Sequence, residues 1–161
     1  MLKHSLITFL VVASLCVCGL SCESGGITLP GDFDLANERQ AMLARHNNTR
    51  AGAGVGALSE NVLLDQIAMD QAQYMASIND STHEDGNGDH VDTRATDAGY
   101  NWVTIGENVG FDTTAAELYS AWLASAGHRD NIEDADYTEI GIGAVSSGLF
   151  QYWCIVFGDQ P

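Results

Sequence analysis

Apolar and polar positions divide the chain into blocks of different period. Leu6 to Val17 is almost wholly apolar and precedes a run of small residues. From Asp34 the pattern turns helical: Asp34 and Asn37 are good caps, and Leu35, Met42 and Leu43 recur at helical spacing up to Gly52. Gly52, Gly54 and Gly56 are expected to end that helix. A second helix is expected from Ser59, with Leu64, Ile67, Ala68, Gln71, Ala72 and Met75 on one stripe at three- and four-residue intervals. A stripe of that width faces a core.

From Ser77 to Asn101 the periodicity gives way to Asp, Gly and Asn, which predicts a long polar loop containing His83 and His90. Long loops in compact domains are usually functional. Ile105 to Phe111 reads as a short strand, and Thr114 with Glu117 three residues later forms a capping box that opens a helix through Leu118, Trp122 and Leu123. Gly127, beside His128, is expected to end that helix. Ile140–Val145 and Phe150–Phe157, joined through Ser146-Ser-Gly148, read as a β-hairpin. The second strand is apolar on both faces, so helices must cover the sheet on both sides. The pattern therefore predicts an α/β domain, a three-layer α-β-α sandwich.

The first block changes the picture of where the chain ends up. One lysine, an apolar run too short to span a bilayer, and small residues before Cys22 follow the order of a signal peptide over residues 1–22. Gly19-Leu20-Ser21-Cys22 looks like a bacterial lipobox, so lipidation of Cys22 is the preferred expectation; Gly19, where an aliphatic residue is usual, keeps ordinary cleavage and release as the alternative. Residues 23–32 read as a Ser/Gly/Pro linker, and 33–161 as one domain. Export implies either an envelope lipoprotein or a secreted or periplasmic protein. It would leave two cysteines, Cys22 and Cys154, and no disulfide framework. Cys154 lies in an apolar run and is expected to be a buried free thiol.

Charge then excludes one class of partner. The formal net charge is −16, and the only lysine, Lys3, lies in the segment that export removes. Such a chain repels a nucleic-acid backbone and an anionic lipid surface. Nucleic acid is therefore excluded as a partner, and membrane association is expected only through an N-terminal lipid. A monomer is expected.

A set of motifs carries more than composition does. His46-Asn47-x-x-Arg50, Ala68-x-x-x-Ala72-x-x-Met75-Ala76, His83 with Asp85-Gly86, Gly106-Glu107-Asn108, Trp122, Ser125-x-Gly127-His128-Arg129-x-Asn131-Ile132, Thr138-Glu139-Ile140-Gly141 and Tyr152-Trp153 with Phe157-Gly158 follow one another in that order. The series resembles bacterial members of the CAP superfamily, the secreted domain shared by cysteine-rich secretory proteins, antigen 5 and pathogenesis-related proteins. It covers about residues 35 to 158. The resemblance implies an α-β-α sandwich with a central antiparallel sheet, and a cleft that in eukaryotic members holds two histidines and two glutamates, the histidines sometimes binding a divalent metal such as zinc. By motif, His83 matches the first histidine, Glu107 the first glutamate and His128 the second histidine. The second glutamate is missing: Leu123-Ala-Ser125 stands there, so a Ser125 hydroxyl or nothing replaces the carboxylate. Glu139 is a remoter substitute.

Two imidazoles with a carboxylate to orient them make a weak, open metal site, since structural zinc normally takes four protein ligands and hydrolytic zinc three. A loosely held divalent metal on His83 and His128 is thus the most that is expected. Asn108 and His46 are expected to hydrogen-bond nearby main chain. Asp85-Gly-Asn-Gly-Asp89 fails as a calcium loop, because His90 and Thr96 stand where Gly and Glu are needed. Ser125, His128 and Asp130 share one turn and cannot form a relay, and no Gly-x-Ser-x-Gly elbow exists. The resemblance and the residues together imply a non-catalytic module that binds an envelope or extracellular lipid, peptide or glycan at a cleft of His83, Glu107, His128 and Ser125. The alternative is a metal-assisted peptidase or cell-wall hydrolase with Glu107 and His128 as its catalytic groups. A plain display scaffold is a third reading.

Overall fold

A computed structural model describes residues 34–161. The signal, the linker and Cys22 lie outside the described residues. Helix α1 (Leu35–Ala53) opens on Asp34, whose carboxylate accepts from the Asn37 amide, and closes at Gly54 in the left-handed region at φ 77°. It passes Gly52, so only the second of the three expected glycines is the stop. Its buried residues, Met42, His46 and Arg50, fall every four positions. Strand β1 (Ser59–Glu60) follows, then helix α2 (Val62–Ile78), capped by the Asn61 side chain. The second helix therefore starts three residues later than expected: Ser59 pairs with Glu139 instead of joining the helix.

The polar stretch after α2 is not all loop. Helix α3 (Val91–Asp97) lies inside it, anchored by fully buried Ala95. Strand β2 (Thr104–Asp112) leads to α4 (Ala115–Ala124), where Thr114 caps the Glu117 amide as the capping box predicts. A break at Ser125 separates α4 from α5 (Ala126–Glu133), so Gly127 lies within a helix and does not end one. Strands β3 (Glu139–Ser147) and β4 (Phe150–Asp159) form the expected hairpin.

The sheet order is β1-β3-β4-β2, antiparallel except for the two-residue parallel pairing of β1 with β3. Central β4 sends Tyr152, Cys154 and Val156 into a core under α2 and α3, and Trp153, Ile155 and Phe157 into a second core under α1, α4 and α5. All six are essentially buried. At roughly 2 kcal/mol for each large side chain, uncovering either triplet would cost about 6 kcal/mol, comparable to the whole stability of a small domain. Hence three layers.

Helix α2 lies unusually close to the sheet because β3 carries Gly141 and Gly143 on that face. A methyl group at either position would run into the backbone of Leu64 and Asp65 or of Ala68 and Met69. The approach lets the Asp65 carboxylate accept from the Ile142 amide at 2.8 Å, which satisfies part of the β3 edge that short β1 leaves open.

Candidate functional site

The first group rests on a loop held from both sides. Gln71, buried on α2, donates through Nε2 to the carbonyls of Thr82 (2.7 Å) and Glu84 (3.1 Å), which flank His83. The His83 ring then reaches β2, where Nδ1 lies 2.8 Å from Glu107 Oε1. The imidazole is half exposed, whereas the Glu107 side chain is 2 % exposed.

Glu107 has both oxygens engaged. Oε2 takes Arg94 Nη2 of α3 at 2.5 Å and the Cys154 thiol of β4 at 3.2 Å. A buried carboxylate is tolerable only when so matched. Hydrogen bonding to Glu107 raises the His83 pKa above its ordinary value, and burial opposes the rise only in part. The same carboxylate, with complete burial as the larger cause, pushes the Cys154 thiol well up. Cys154 is thus the buried free thiol the sequence predicts, with an added role as donor to Glu107.

His128 stands in the first turn of α5 and reaches β2 through a chain of amides. Asn108 Nδ2 donates to the His128 carbonyl at 2.9 Å, and Asn131 Nδ2 donates to Asn108 Oδ1 at 2.9 Å and to the Glu107 carbonyl at 3.2 Å. Residues 107 and 108 point to opposite faces of edge strand β2. Glu107 with His83 therefore occupies one face, and Asn108 on the other ties β2 to the main chain of His128 on α5. The His128 pKa is lowered, first by burial and then by the charge of His83. Among the described residues its buried Nδ1 has no hydrogen-bond partner.

Ser125 sits at the α4–α5 joint, half-buried, with no capping bond from its hydroxyl. Glu139 is engaged elsewhere, by Asn61 (3.0 Å), Tyr100 (2.7 Å) and Gln160 (3.0 Å), and does not replace the missing carboxylate. Asp85 turns its carboxylate onto the amides of Asn87 and Asp89, closing its own loop. His46 bonds the Met42 carbonyl at 2.8 Å, as expected of a core imidazole. Arg94 is the partner of Glu107 that the sequence pattern hides, because its stretch looks like loop; the available signal is Val91, Arg94 and Ala95 at helical spacing among polar residues.

Among the described residues nothing bonds the outer ring nitrogen of His83, while Glu107 holds Nδ1, the arrangement in which a carboxylate fixes a ligand imidazole. An imidazole so fixed is the kind of donor an open metal site uses. Among the described residues no three His, Cys, Asp or Glu side chains gather to hold a metal ion.

An α-β-α sandwich with an exposed imidazole on a buried carboxylate at its sheet edge defines the class: a CAP-type domain. Residues 43–157 match the cysteine-rich secretory protein family, and the chain belongs to that family. It is 31 % identical over 129 residues to the uncharacterized protein YkwD of Bacillus subtilis (strain 168), covering 80 % of this chain and 50 % of YkwD, so it spans about half of that relative. Its fold is similar to an outer surface protein of Borrelia burgdorferi (TM-score 0.75, 16 % identity, 80 % of this chain and 97 % of that one). It is also similar to an extracellular SCP-domain protein of Bacillus anthracis (TM-score 0.71, 19 % identity, 78 % and 41 % of the two chains).

Proposed function

We propose that this is an exported binding module that holds an envelope or extracellular lipid, peptide or glycan at the hollow of His83, Glu107 and His128, with Ser125 at its margin. The observation that carries this reading is the state of Glu107. Both its oxygens are committed, to His83 on one side and to Arg94 and Cys154 on the other. A general base needs a free oxygen within reach of the proton it takes. Glu107 instead orients the His83 ring and favours its protonated form, leaving an imidazole fixed to meet a ligand.

Export rests on the signal-like residues 1–22 and agrees with the extracellular and outer-surface names of the similar structures. Lipidation at Cys22 would add an anchor. His83 and His128 are the residues that would hold a divalent metal such as zinc, which would supply Lewis acidity there. The metal-assisted hydrolase is the second reading, favoured by the free outer nitrogen of His83; it needs Glu107 released from Arg94.

The test is retention of envelope components by the purified chain, identified by native mass spectrometry. Wild type should carry a lipid, peptide or glycan that His83→Ala and Glu107→Gln lose. Equal retention by all three would sink the binding site. Turnover of peptide or cell-wall substrate by metal-loaded wild type, absent in His128→Ala, would replace it with the hydrolase.

A further inference from the structure

Helix α2 buries one polar side chain among its apolar ones. Gln71, 1 % exposed, stands with Ile67, Ala68, Ala72 and Met75 on the buried stripe. Its Oε1 is buried and, among the described residues, has no hydrogen-bond donor. An unmatched buried acceptor lowers stability, and a methionine of nearly the same length would fill the place without one. Packing therefore does not account for the amide.

Its nitrogen holds a loop that has no other firm hold. Among the described residues, 81–84 make no hydrogen bond from main chain to main chain. Ser81 N donates to Asp80 Oδ1 and Glu84 N to Thr82 Oγ1, contacts that join neighbours and tie the loop to nothing else. From outside, Gln71 Nε2 donates to the carbonyls of Thr82 and Glu84, on either side of His83, at 2.7 and 3.1 Å. Arg94 Nη2 reaches the His83 carbonyl from α3 at a longer 3.4 Å. A main chain gripped on both flanks leaves the imidazole few places to start from, and from this one its Nδ1 meets Glu107 on β2 at 2.8 Å.

We infer that Gln71 is a positioning residue of the histidine hollow: it clamps both main-chain flanks of His83 and so sets the ring on Glu107, and its polarity serves that contact, not the core. Without the clamp the two carbonyls turn to water, and the loop samples positions from which the ring does not reach the carboxylate. Any effect on a ligand rests on the reading of His83 as a binding residue; the clamp itself does not.

The test is NMR of ring N–H protons in the exported chain labelled at histidine nitrogen. Two imidazoles report: His83 through Nδ1 on Glu107, and His46 through Nδ1 on the Met42 carbonyl in the core across the sheet. In Gln71→Met the His83 ring proton should exchange with water about tenfold faster than in wild type, the effect of losing one to two neutral hydrogen bonds, while the His46 proton stays slow. Gln73→Met, the same change at an exposed position of α2, should alter neither. A Gln71 that only supports the fold would lower the thermal midpoint and leave the His83 ring contact as it is, so an unchanged His83 proton in folded Gln71→Met overturns the assignment. Loss of the His46 proton in both Gln71→Met and the milder Gln71→Asn overturns it too, because the amide then serves the core. Retention of an envelope component by Gln71→Met should fall as it does in His83→Ala, and full retention with the ring proton freed would show that the clamp does not serve the site. If wild type itself retains nothing, the binding reading fails, and the ring protons still decide the clamp.

Discussion

The Cys154 thiol donates to Glu107 Oε2 across 3.2 Å, from the central strand to the edge strand that carries the candidate site. A thiol that is fully buried and faces a carboxylate is held in its protonated, unreactive form. In the folded protein, Cys154 should therefore resist alkylation by iodoacetamide, and it should react at the rate of a free peptide thiol once the chain is unfolded in urea. Peptide mass spectrometry after a timed pulse reads this residue separately from Cys22. Prompt modification under native conditions would show that the thiol is not packed against Glu107.

The His83–Glu107 pair has a pH signature of known sign. Because the folded pKa of His83 is raised, its stabilising contribution is fully present below the ordinary imidazole value of 6.5 and disappears as pH rises through the higher folded value. Glu107→Gln should bring the His83 titration midpoint, followed by NMR, back down toward 6.5. A midpoint that does not move on that substitution would mean that Glu107 is not the cause.

His46 acts in the opposite direction. Burial lowers its pKa from 6.5 to about 4, and its ring packs among Tyr119, Trp122 and Phe157. The folded state therefore excludes a proton that the unfolded chain accepts, so stability is lost as pH falls from 6.5 toward 4. A shift of that size corresponds to roughly 3 kcal/mol over the window. Urea denaturation of wild type and His46→Gln across it should show a shallower acid slope in the variant. Parallel slopes would assign the acid loss to other groups.

Arg50 clasps the end of α1 to the loop that follows it, to the last turn of α5 and to the loop beyond by donating to the carbonyls of Gly56, Ile132, Asp134 and Tyr137 at 2.6 to 3.0 Å. A lysine carries one compact ammonium and cannot reach all four in the guanidinium's fork. Arg50→Lys should destabilise the domain by about 3 kcal/mol, since carbonyls buried with it lose their donors. Calorimetry should show a clear fall in the thermal midpoint, and an unchanged midpoint would contradict the clasp.

Much of this is legible in the chain itself. The two-sided apolar pattern of β4 requires layers above and below the sheet, and the Thr114–Glu117 box marks the start of α4 to the residue. What escapes is set by tertiary contact. Ser59 and Glu60 carry no strand pattern and become β1 only because β3 offers an edge. Gly127 looks like a stop, yet the helix stops two residues earlier, at Ser125, and restarts. Of the candidate site, the His83–Glu107 contact is expected from the family resemblance, but the partners that commit Glu107 are not. Cys154 reads as inert core, and Arg94 lies in a stretch too polar to show a short helix held by Ala95.

The central claim is that His83 and His128, brought around opposite faces of β2, share one hollow with Glu107. The most direct measurement is an NMR titration of the His128 ring in wild type and in His83→Ala. With the neighbouring positive charge gone, the His128 midpoint should rise while staying below 6.5, because burial continues to hold it down. A His128 midpoint that is the same in both proteins would mean that the two rings do not face each other, and the shared site would be contradicted.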